Sequence, residues 1–390
     1  MYILGALDLF LFLALLIPII YVGAFSIASS LRAKKTPVSG EAPLRSYLVL
    51  FPAYKEDAVI VSSVQTFFKQ NYPRDCYHLI VISDQMEPET NRYLCEAGAE
   101  VILADYENSS KTKALRMAML HTETQPKAYD YVVIMDADNL TEPTFLQQVN
   151  EAFATGYGPK ALQAHRIAKN INTDIALLDA VSEEINNSIF RKGHNRLGLS
   201  ASLIGSGMVF DYEWFKKTIF TVGHVGFDKQ LEFRLRSERI YIQYMEKIYV
   251  LDEKIQKMTH FNTQRRRWIA TQAVNLLSGI KHFPGAIASR NLDVLNTVVQ
   301  WMFPPRLILL GLTFLIACTG TLVQPALSYK WWGLCLAFIL LLFNAIPRHL
   351  INRHLLKAVI HLPLLFSIMF INLFRVKGAD KRFIHTEHTI

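Results

Sequence analysis

Cysteine is scarce in this sequence, with four among 390 residues. Cys76 and Cys95 stand in a polar middle region, Cys318 and Cys335 in apolar stretches, and no C-x-x-C pair occurs. That excludes a disulfide framework and a zinc site built on thiolates. A basic n-region is also missing from the N-terminus. A cleaved signal peptide would start with one and carry a shorter apolar run; here Arg32, Lys34 and Lys35 come after the run. Polar residues inside the apolar stretches are few, which argues against an ion or solute pathway. No internal repeat or low-complexity tract stands out.

Apolar residues crowd positions 3–31 and 303–374, while the middle reads as an ordinary α/β protein. The length suits two or more structural units. Residues 3–31 carry one charge, Asp8, and exceed the ~20 residues that cross a bilayer. The expectation is an uncleaved transmembrane helix over residues 1–33. Arg32, Lys34, Lys35 and nearby Arg45 place its C-terminal end, and the middle domain, in the cytosol. The net charge of +8 comes mainly from cations beside apolar segments, so the lipid bilayer, and no nucleic acid, is the expected partner.

Residues 34–46 (KKTPVSGEAPLRS) form a polar linker. Strand-like and helix-like stretches then alternate: strands at 47–52 (YLVLFP), 79–83 (LIVIS), 100–103 and 131–135 (YVVIM), helices at 56–69 and near 89–97 and 111–122. Val59, Val64, Phe67 and Phe68 form the expected inner face of the first helix. The alternation argues for a parallel sheet with helices on both faces, whose ligands sit at the carboxyl ends of the strands. Past residue 260, positions 264–283 are basic at their start and helical in pattern, and 291–302 looks amphipathic; both suit the membrane surface. Candidate spans follow at 303–323, 331–346 and 355–374, the last interrupted by His361 and Pro363. Three full crossings would put the basic tail (Arg375, Lys377, Lys381, Arg382) outside, against the positive-inside rule. One of the last segments is therefore expected to be re-entrant or interfacial, which keeps the tail cytosolic.

The chemistry-bearing residues gather at strand ends. In Met135-Asp136-Ala137-Asp138-Asn139, two carboxylates one residue apart can share Mg²⁺ or Mn²⁺ with substrate phosphates; a solvated turn is the plainer alternative. Lys111 and Lys113 open a helix, where ammonium groups oppose the dipole and suit a phosphate ligand, or stand as loop lysines. Asp84 follows a strand and can accept hydrogen bonds from a base or ribose. Gly205-Ser206-Gly207 permits close approach of a ligand or another segment, or is a turn before a strand. Asp228 begins a helix as an N-cap or as a general base; Leu231, Phe233 and Leu235 would be buried. Gln264-Arg265-Arg266-Arg267-Trp268 is either a headgroup anchor or an Arg fork for pyrophosphate beside a Trp face for a sugar.

In order, Asp84, Asp136/Asp138, Asp228 and Gln264-x-x-Arg267-Trp268 resemble the D, D-x-D, E-D, Q-x-x-R-W series of the family 2 glycosyltransferases, in particular the processive membrane synthases of cellulose, hyaluronan and poly-N-acetylglucosamine. Pro52-Ala53-Tyr54-Lys55-Glu56 and Lys111-x-x-Ala114-Leu115 resemble two further family segments. The resemblance covers about residues 45–270 and implies an α/β fold of GT-A type with a mixed sheet, inserted between transmembrane helices. It assigns 45–262 to a cytosolic nucleotide-diphospho-sugar transferase domain and 263–302 to the Q-x-x-R-W segment with interfacial helices. Membrane helices then occupy 303–376, and 377–390 is a basic cytosolic tail. It implies that Tyr54, Glu56, Asp84, Lys111 and Asp136 contact the nucleotide sugar and that Asp136 and Asp138 hold the metal. Asp228 would be the catalytic base, while Gln264, Arg267 and Trp268 close over the pyrophosphate at the acceptor end. Two positions depart from the pattern: Phe227 replaces the acid before Asp228, and Ser83 stands where many relatives carry Asp.

The expected activity is inverting transfer of a sugar, UDP-linked, to a growing β-linked polysaccharide by an integral protein of the cell or inner membrane, with possible envelope export partners. Alternatives are addition of one sugar to a lipid or lipid-linked acceptor, and an inactive scaffold or transport component.

Overall fold

The computed structural model describes residues 2–32, 42–125, 128–154 and 159–375. Lys34, Lys35, Lys377, Lys381 and Arg382, and with them the basic tail, lie outside the described residues.

After α1 (Tyr2–Ser29) the chain alternates through β1 (Tyr47–Tyr54), α2 (Ile60–Phe67), β2 (Tyr77–Asp84), α3 (Pro88–Glu96), β3 (Glu100–Leu103), α4 (Lys111–Glu123) and β4 (Tyr131–Ile134). It continues through β5 (Leu140–Thr141), α5 (Phe145–Phe153), β6 (Ala161–Ala168), α6 (Asp174–Asn186) and, beyond a π-helical stretch, α7 (His194–Arg196). Then come β7 (Met208–Asp211), α8 (Tyr212–Ile219), α9 (Phe227–Ser237) and β8 (Ile242–Asp252). One sheet joins the strands in the order β3-β2-β1-β4-β7-β6-β8-β5.

Strands β1 and β2 read as nearly unbroken apolar runs because both faces are covered. Odd-numbered Val49 and Phe51 pack with Val64 and Phe67 of α2 and Phe145 of α5. Even-numbered Leu48 and Leu50 meet Leu115 and Met119 of α4, Phe215 of α8 and Leu231 of α9, as the period of two requires. Val59 is buried as expected, and Phe68 is partly buried.

The sheet is not wholly parallel, contrary to the reading from alternation alone. β1, β2, β3 and β4 are parallel, but β7 runs antiparallel to both β4 and β6, and β5 is antiparallel to β8. The alternating signal ends near residue 135. β6 (ALQAHRIA) escapes it because Gln163, His165 and Arg166 interrupt the apolar run.

α10 (Met258–Gly279) follows β8; α11 (Phe283–Ala288) and α12 (Leu292–Met302) lead to α13 (Arg306–Val323), α14 (Pro325–Asn344), α15 (Arg353–Ala358) and α16 (Leu362–Phe374). Pro304 and Pro305 separate α12 from α13, so the helix expected from residue 303 begins at Arg306. α14 starts six residues before Trp331, with Pro325 in its first turn. The last apolar stretch is two helices joined by a 3₁₀ turn, Val359–His361. Four segments are long and apolar enough to cross a membrane: Gly5–Ser29, Arg306–Val323, Pro325–Asn344 and Arg353–Phe374.

Leu15, Ile19 and Val22 of α1 pack with Leu309 of α13 and Trp331 and Phe338 of α14. Asp8 pairs with Lys330 and accepts from the Trp331 indole at 2.9 Å, fixing the register of α1 on α14. At the other end of α1, a Cβ on Gly193 would collide with the Phe25 carbonyl oxygen, so only glycine lets α1 lie against the π-helical stretch.

His194 is fully buried, edge-on to Phe25 with ring centroids 4.4 Å apart. Burial, aided by the nearby Arg236 cation, pushes its pKa from 6.5 down to about 3. The unfolded chain therefore takes up a proton below pH 6.5 that the folded chain refuses, and stability falls as pH drops, by up to about 1.4 kcal/mol per unit. Denaturation in detergent at pH 7 and pH 5 should show this loss, roughly 2 kcal/mol, in the parent protein and not in His194→Gln.

Candidate active site

The site forms along the carboxyl edge of β1, β2 and β4. Tyr54 and Asp84, the last residues of β1 and β2, are direct neighbours in the sheet. The next residue of each, Lys55 and Gln85, takes a left-handed conformation with φ of 55° and 56°, which turns both chains sharply at the sheet edge. Tyr54, Asp84 and Glu56 are thereby brought to one rim. Asp84 is buried, and Tyr106 lies beside it, its phenol pKa raised by burial and then by the Asp84 carboxylate.

Past β4 the D-x-D segment folds on itself. Asp136 donates its backbone N–H to Asn139 Oδ1 at 3.0 Å. The Asn139 amide donates to Asp138 Oδ1 and Asp252 Oδ1, each at 3.3 Å. Asp138 Oδ2 accepts the Glu253 backbone N–H at 2.7 Å. Asp138 is thus nearly fully buried and fixed, whereas Asp136 is about one third exposed.

Lys111 pairs with Asp136 and donates to the Gly205 carbonyl at 2.7 Å, its ammonium 5.4 Å from the centre of the Phe227 ring. Lys113, two residues along, turns away: its ammonium bonds the carbonyls of Glu107 and Asn108. It closes the loop before α4 and does not reach the acids. The Gly205-Ser206-Gly207 segment supplies the Lys111 acceptor, and Gly207, at φ 59°, abuts Ala164 and Val250 of the neighbouring strands.

Beneath the acids lies a charge network that sequence reasoning missed. Arg166 forms two 3.0 Å hydrogen bonds with Glu183, and its Nη1 lies 3.3 Å from Asp252 and 3.9 Å from Asp136. Lys254 pairs with the same Glu183 and with Asp252 at 2.7 Å. Burial alone would raise the Glu183 pKa, but the Arg166 and Lys254 cations outweigh it and hold the carboxyl well below the usual range. The signal was present, in the polar residues inside β6 and the Asp-Glu-Lys run ending β8, but neither pattern names a partner 17 or 71 residues away.

Asp228 is the second residue of α9. It is not the N-cap: Gly226 occupies that place at φ 59°, without a side-chain cap. A Cβ at Gly226 would strike Thr271 of α10, so the start of α9 rests directly on α10. Leu231 and Leu235 are buried as expected; Phe233 is half-buried, stacked on Trp301.

On α10, Gln264, Arg267, Trp268, Thr271 and Asn275 recur at helical spacing along one stripe. Arg267 feels both Asp228 and Asp136: burial lowers its pKa and these carboxylates oppose that. Trp268 is 39% exposed. Arg265 leaves on another face to pair with Asp179, its guanidinium 4.2 Å from the Trp268 ring centre. Arg266 donates to the Arg375 carbonyl at 2.8 Å. One arginine of three therefore approaches the acids, and Asp136, Asp138, Lys111, Asp228 and Arg267 converge on one region.

The family profile described as Glycosyltransferase like family 2 matches residues 43–271, more than half of the chain. The chain belongs to this family. It is a glycosyltransferase, and its donor is a nucleotide sugar. Among solved structures, the mannosyltransferase PcManGT from Pyrobaculum calidifontis, in complex with GDP-Man and Mn²⁺, is 15% identical. That match covers 86% of this chain and 97% of that one, with a TM-score of 0.53, and shows a shared GT-A fold. Glucosyl-3-phosphoglycerate synthase from Mycobacterium tuberculosis is 17% identical over 63% of this chain and 85% of its own, at a TM-score of 0.44. S. aureus TarS 1-349 is 12% identical over 86% and 91%, at 0.46. No curated protein matches this transferase.

Two substitutions separate the roles in this glycosyltransferase. Lys111→Met should lower nucleoside-diphosphate release from a donor sugar by about 100-fold, as loss of one preorganised charge does, while Lys113→Met stays near the parent rate. Glu183→Gln strands part of the buried Arg166 and Lys254 charge, and thermal denaturation in detergent should show a loss of roughly 3–5 kcal/mol.

Proposed function

We propose that this transferase is an integral membrane enzyme that moves a sugar, with inversion, from a UDP-linked donor to a growing β-linked polysaccharide. The observation that carries this reading is that Arg267 of α10 lies within electrostatic reach of both Asp228 of α9 and Asp136, just past β4.

Tyr54, Glu56 and Asp84 line the rim where a base and ribose would lie, and Lys111 and Arg267 face the diphosphate. Asp228 has no hydrogen bond or ion pair among the described residues, which suits a carboxylate that must accept a proton. Asp228 takes the proton of an acceptor hydroxyl as that oxygen attacks the anomeric carbon, and the bond to the diphosphate breaks on the opposite face. Phe227, buried beside it, leaves that work to one carboxylate. Gln264 and Trp268 border the acceptor side.

Asp136 and Asp138 fit a hard divalent cation. Their donors are all oxygen and Asp138 is held in place from both sides, which suits a hard cation that also takes phosphate and water oxygens. Mg²⁺ or Mn²⁺ there would neutralise the departing diphosphate; PcManGT, of the same fold, is described with Mn²⁺.

The contacts of the last apolar segment support an arrangement that keeps both of its ends on one side. His354 and His361 bond Asp174 at 2.9 and 3.0 Å, Asn372 bonds Asn262 at 2.8 Å, and Arg375 meets Arg266. α16 therefore begins and ends against the catalytic domain. With α15 and the 3₁₀ turn it forms the 22-residue segment Arg353–Phe374, long and apolar enough to cross, so these bonds and not its length favour an interfacial position. We assign α1, α13 and α14 as crossings and α15–α16 as an interfacial segment, so Arg375 stays on the cytosolic side.

A second reading, addition of one sugar to a lipid or lipid-linked acceptor, is favoured by the mutual packing of α1, α13 and α14. Purified enzyme with a UDP-sugar panel decides: a ladder of long products supports polymerisation, and a single added sugar supports the second reading. Asp228→Asn should lower transfer by about 10³-fold with UDP affinity, measured by calorimetry, unchanged. Surviving turnover would remove Asp228 as base.

A further inference from the structure

Behind α10, on the side away from the acids, two guanidinium groups are left incompletely bonded. Arg265 is buried to 7% exposure, pairs with Asp179, and has its Nε buried without a partner among the described residues. Arg306, the first residue of α13, bonds Asn186 Oδ1 at 2.7 Å and the Ser182 carbonyl at 3.3 Å, both neutral acceptors. Its Nη1 is also buried with no partner among the described residues. A third guanidinium, Arg191, bonds Asn187 and the Ser202 carbonyl, both neutral acceptors, and lies near enough to interact with Arg306, as does Arg265. Asp179 is the single carboxylate paired directly with this trio among the described residues.

Buried guanidinium N–H groups are costly to leave unbonded, and a cation short of counter-charge is costlier still. A phosphate satisfies both needs through the planar fork of arginine. The surroundings have the shape of a lipid. Asp179, Ser182 and Asn186 set both arginines on neighbouring turns of α6, while Leu307, Ile346 and Leu362, partly buried, border the same apolar cluster towards α13, α14 and α16. Arg306 stands where α13 leaves the catalytic domain, the level at which phosphates of the cytosolic leaflet lie if α13 crosses.

We infer that Arg306 and Arg265 form a binding site for the phosphate of one anionic phospholipid, seated between α6, α10 and α13. The inference rests on the membrane-bound reading above. The lipid would complete the charge of the α6–α10–α13 junction and hold the back of the Gln264–Trp268 helix against the bilayer.

Native mass spectrometry tests it on the full chain, reconstituted in phosphatidylcholine nanodiscs containing a minor share of phosphatidylglycerol and then extracted into detergent. The parent protein should retain one phosphatidylglycerol. Arg306→Gln should weaken retention by about tenfold or more, the worth of a charge-assisted hydrogen bond. Arg348→Gln, at an exposed cation of the turn after α14, should retain it fully. Phosphatidylglycerol should also raise the melting temperature of the parent and not of Arg306→Gln. If Arg306→Gln does not fold, Arg306→Lys keeps the charge without the fork and should weaken retention several-fold. Equal retention by the parent and the Arg306 variants overturns the site. Displacement by millimolar inorganic phosphate overturns its assignment to a lipid. Failure of the parent to enter nanodiscs overturns the membrane-bound reading and the site with it.

Discussion

The pairing of Glu183 with Arg166 and Lys254 is the constraint on which the site depends. Two buried cations share one buried carboxylate, and their remaining contacts reach Asp252 and Asp136. Asp252 in turn shares the Asn139 amide with Asp138. A side chain of α6 thereby sets where both aspartates of the D-x-D segment stand. Such a network stabilises little relative to an apolar core of the same shape, because desolvation consumes most of the Coulombic gain. Its value is geometric: four charged groups that must satisfy one another have few arrangements open to them.

The same helix joins the acids to α1, α10, α13 and the α15–α16 segment. Asp174 at its start holds His354 and His361, Asp179 holds Arg265, and Asn186 holds Arg306. Just beyond it Ser188 bonds Ser29 of α1 at 2.8 Å. Asp179, Glu183 and Asn186 fall on one stripe, so movement of α10 or α13 along α6 would be felt at Glu183. The π-helical stretch that follows gives α1 its seat through Gly193 and accommodates the extra residue per turn.

Much of the fold was legible because burial on both faces writes itself into β1, β2 and β4 as apolar runs, and Ser110 and the Lys111 turn mark the start of α4. The acids at the strand ends could be read for the same reason: an apolar strand that stops on Asp has few other uses for it. The second half of the sheet was hidden. β6 buries Gln163 and Arg166, which bond the glycine loop and Glu183, and a polar strand carries no periodic signal. Lys111 and Lys113 were indistinguishable in sequence. Helix rotation of about 200° between them sends one to Asp136 and the other to the Glu107 carbonyl.

α10 links the acids of the sheet to the last apolar helices. Arg267 interacts with Asp228 and Asp136, and one turn on, Thr271 lies against Gly226 at the start of α9. Other faces of α10 meet Asp179 of α6 and, at the end of α16, Asn372 and Arg375. Because Asn372 and Arg375 bond α10 directly, a shift of α10 towards the acids would carry the end of α16 with it.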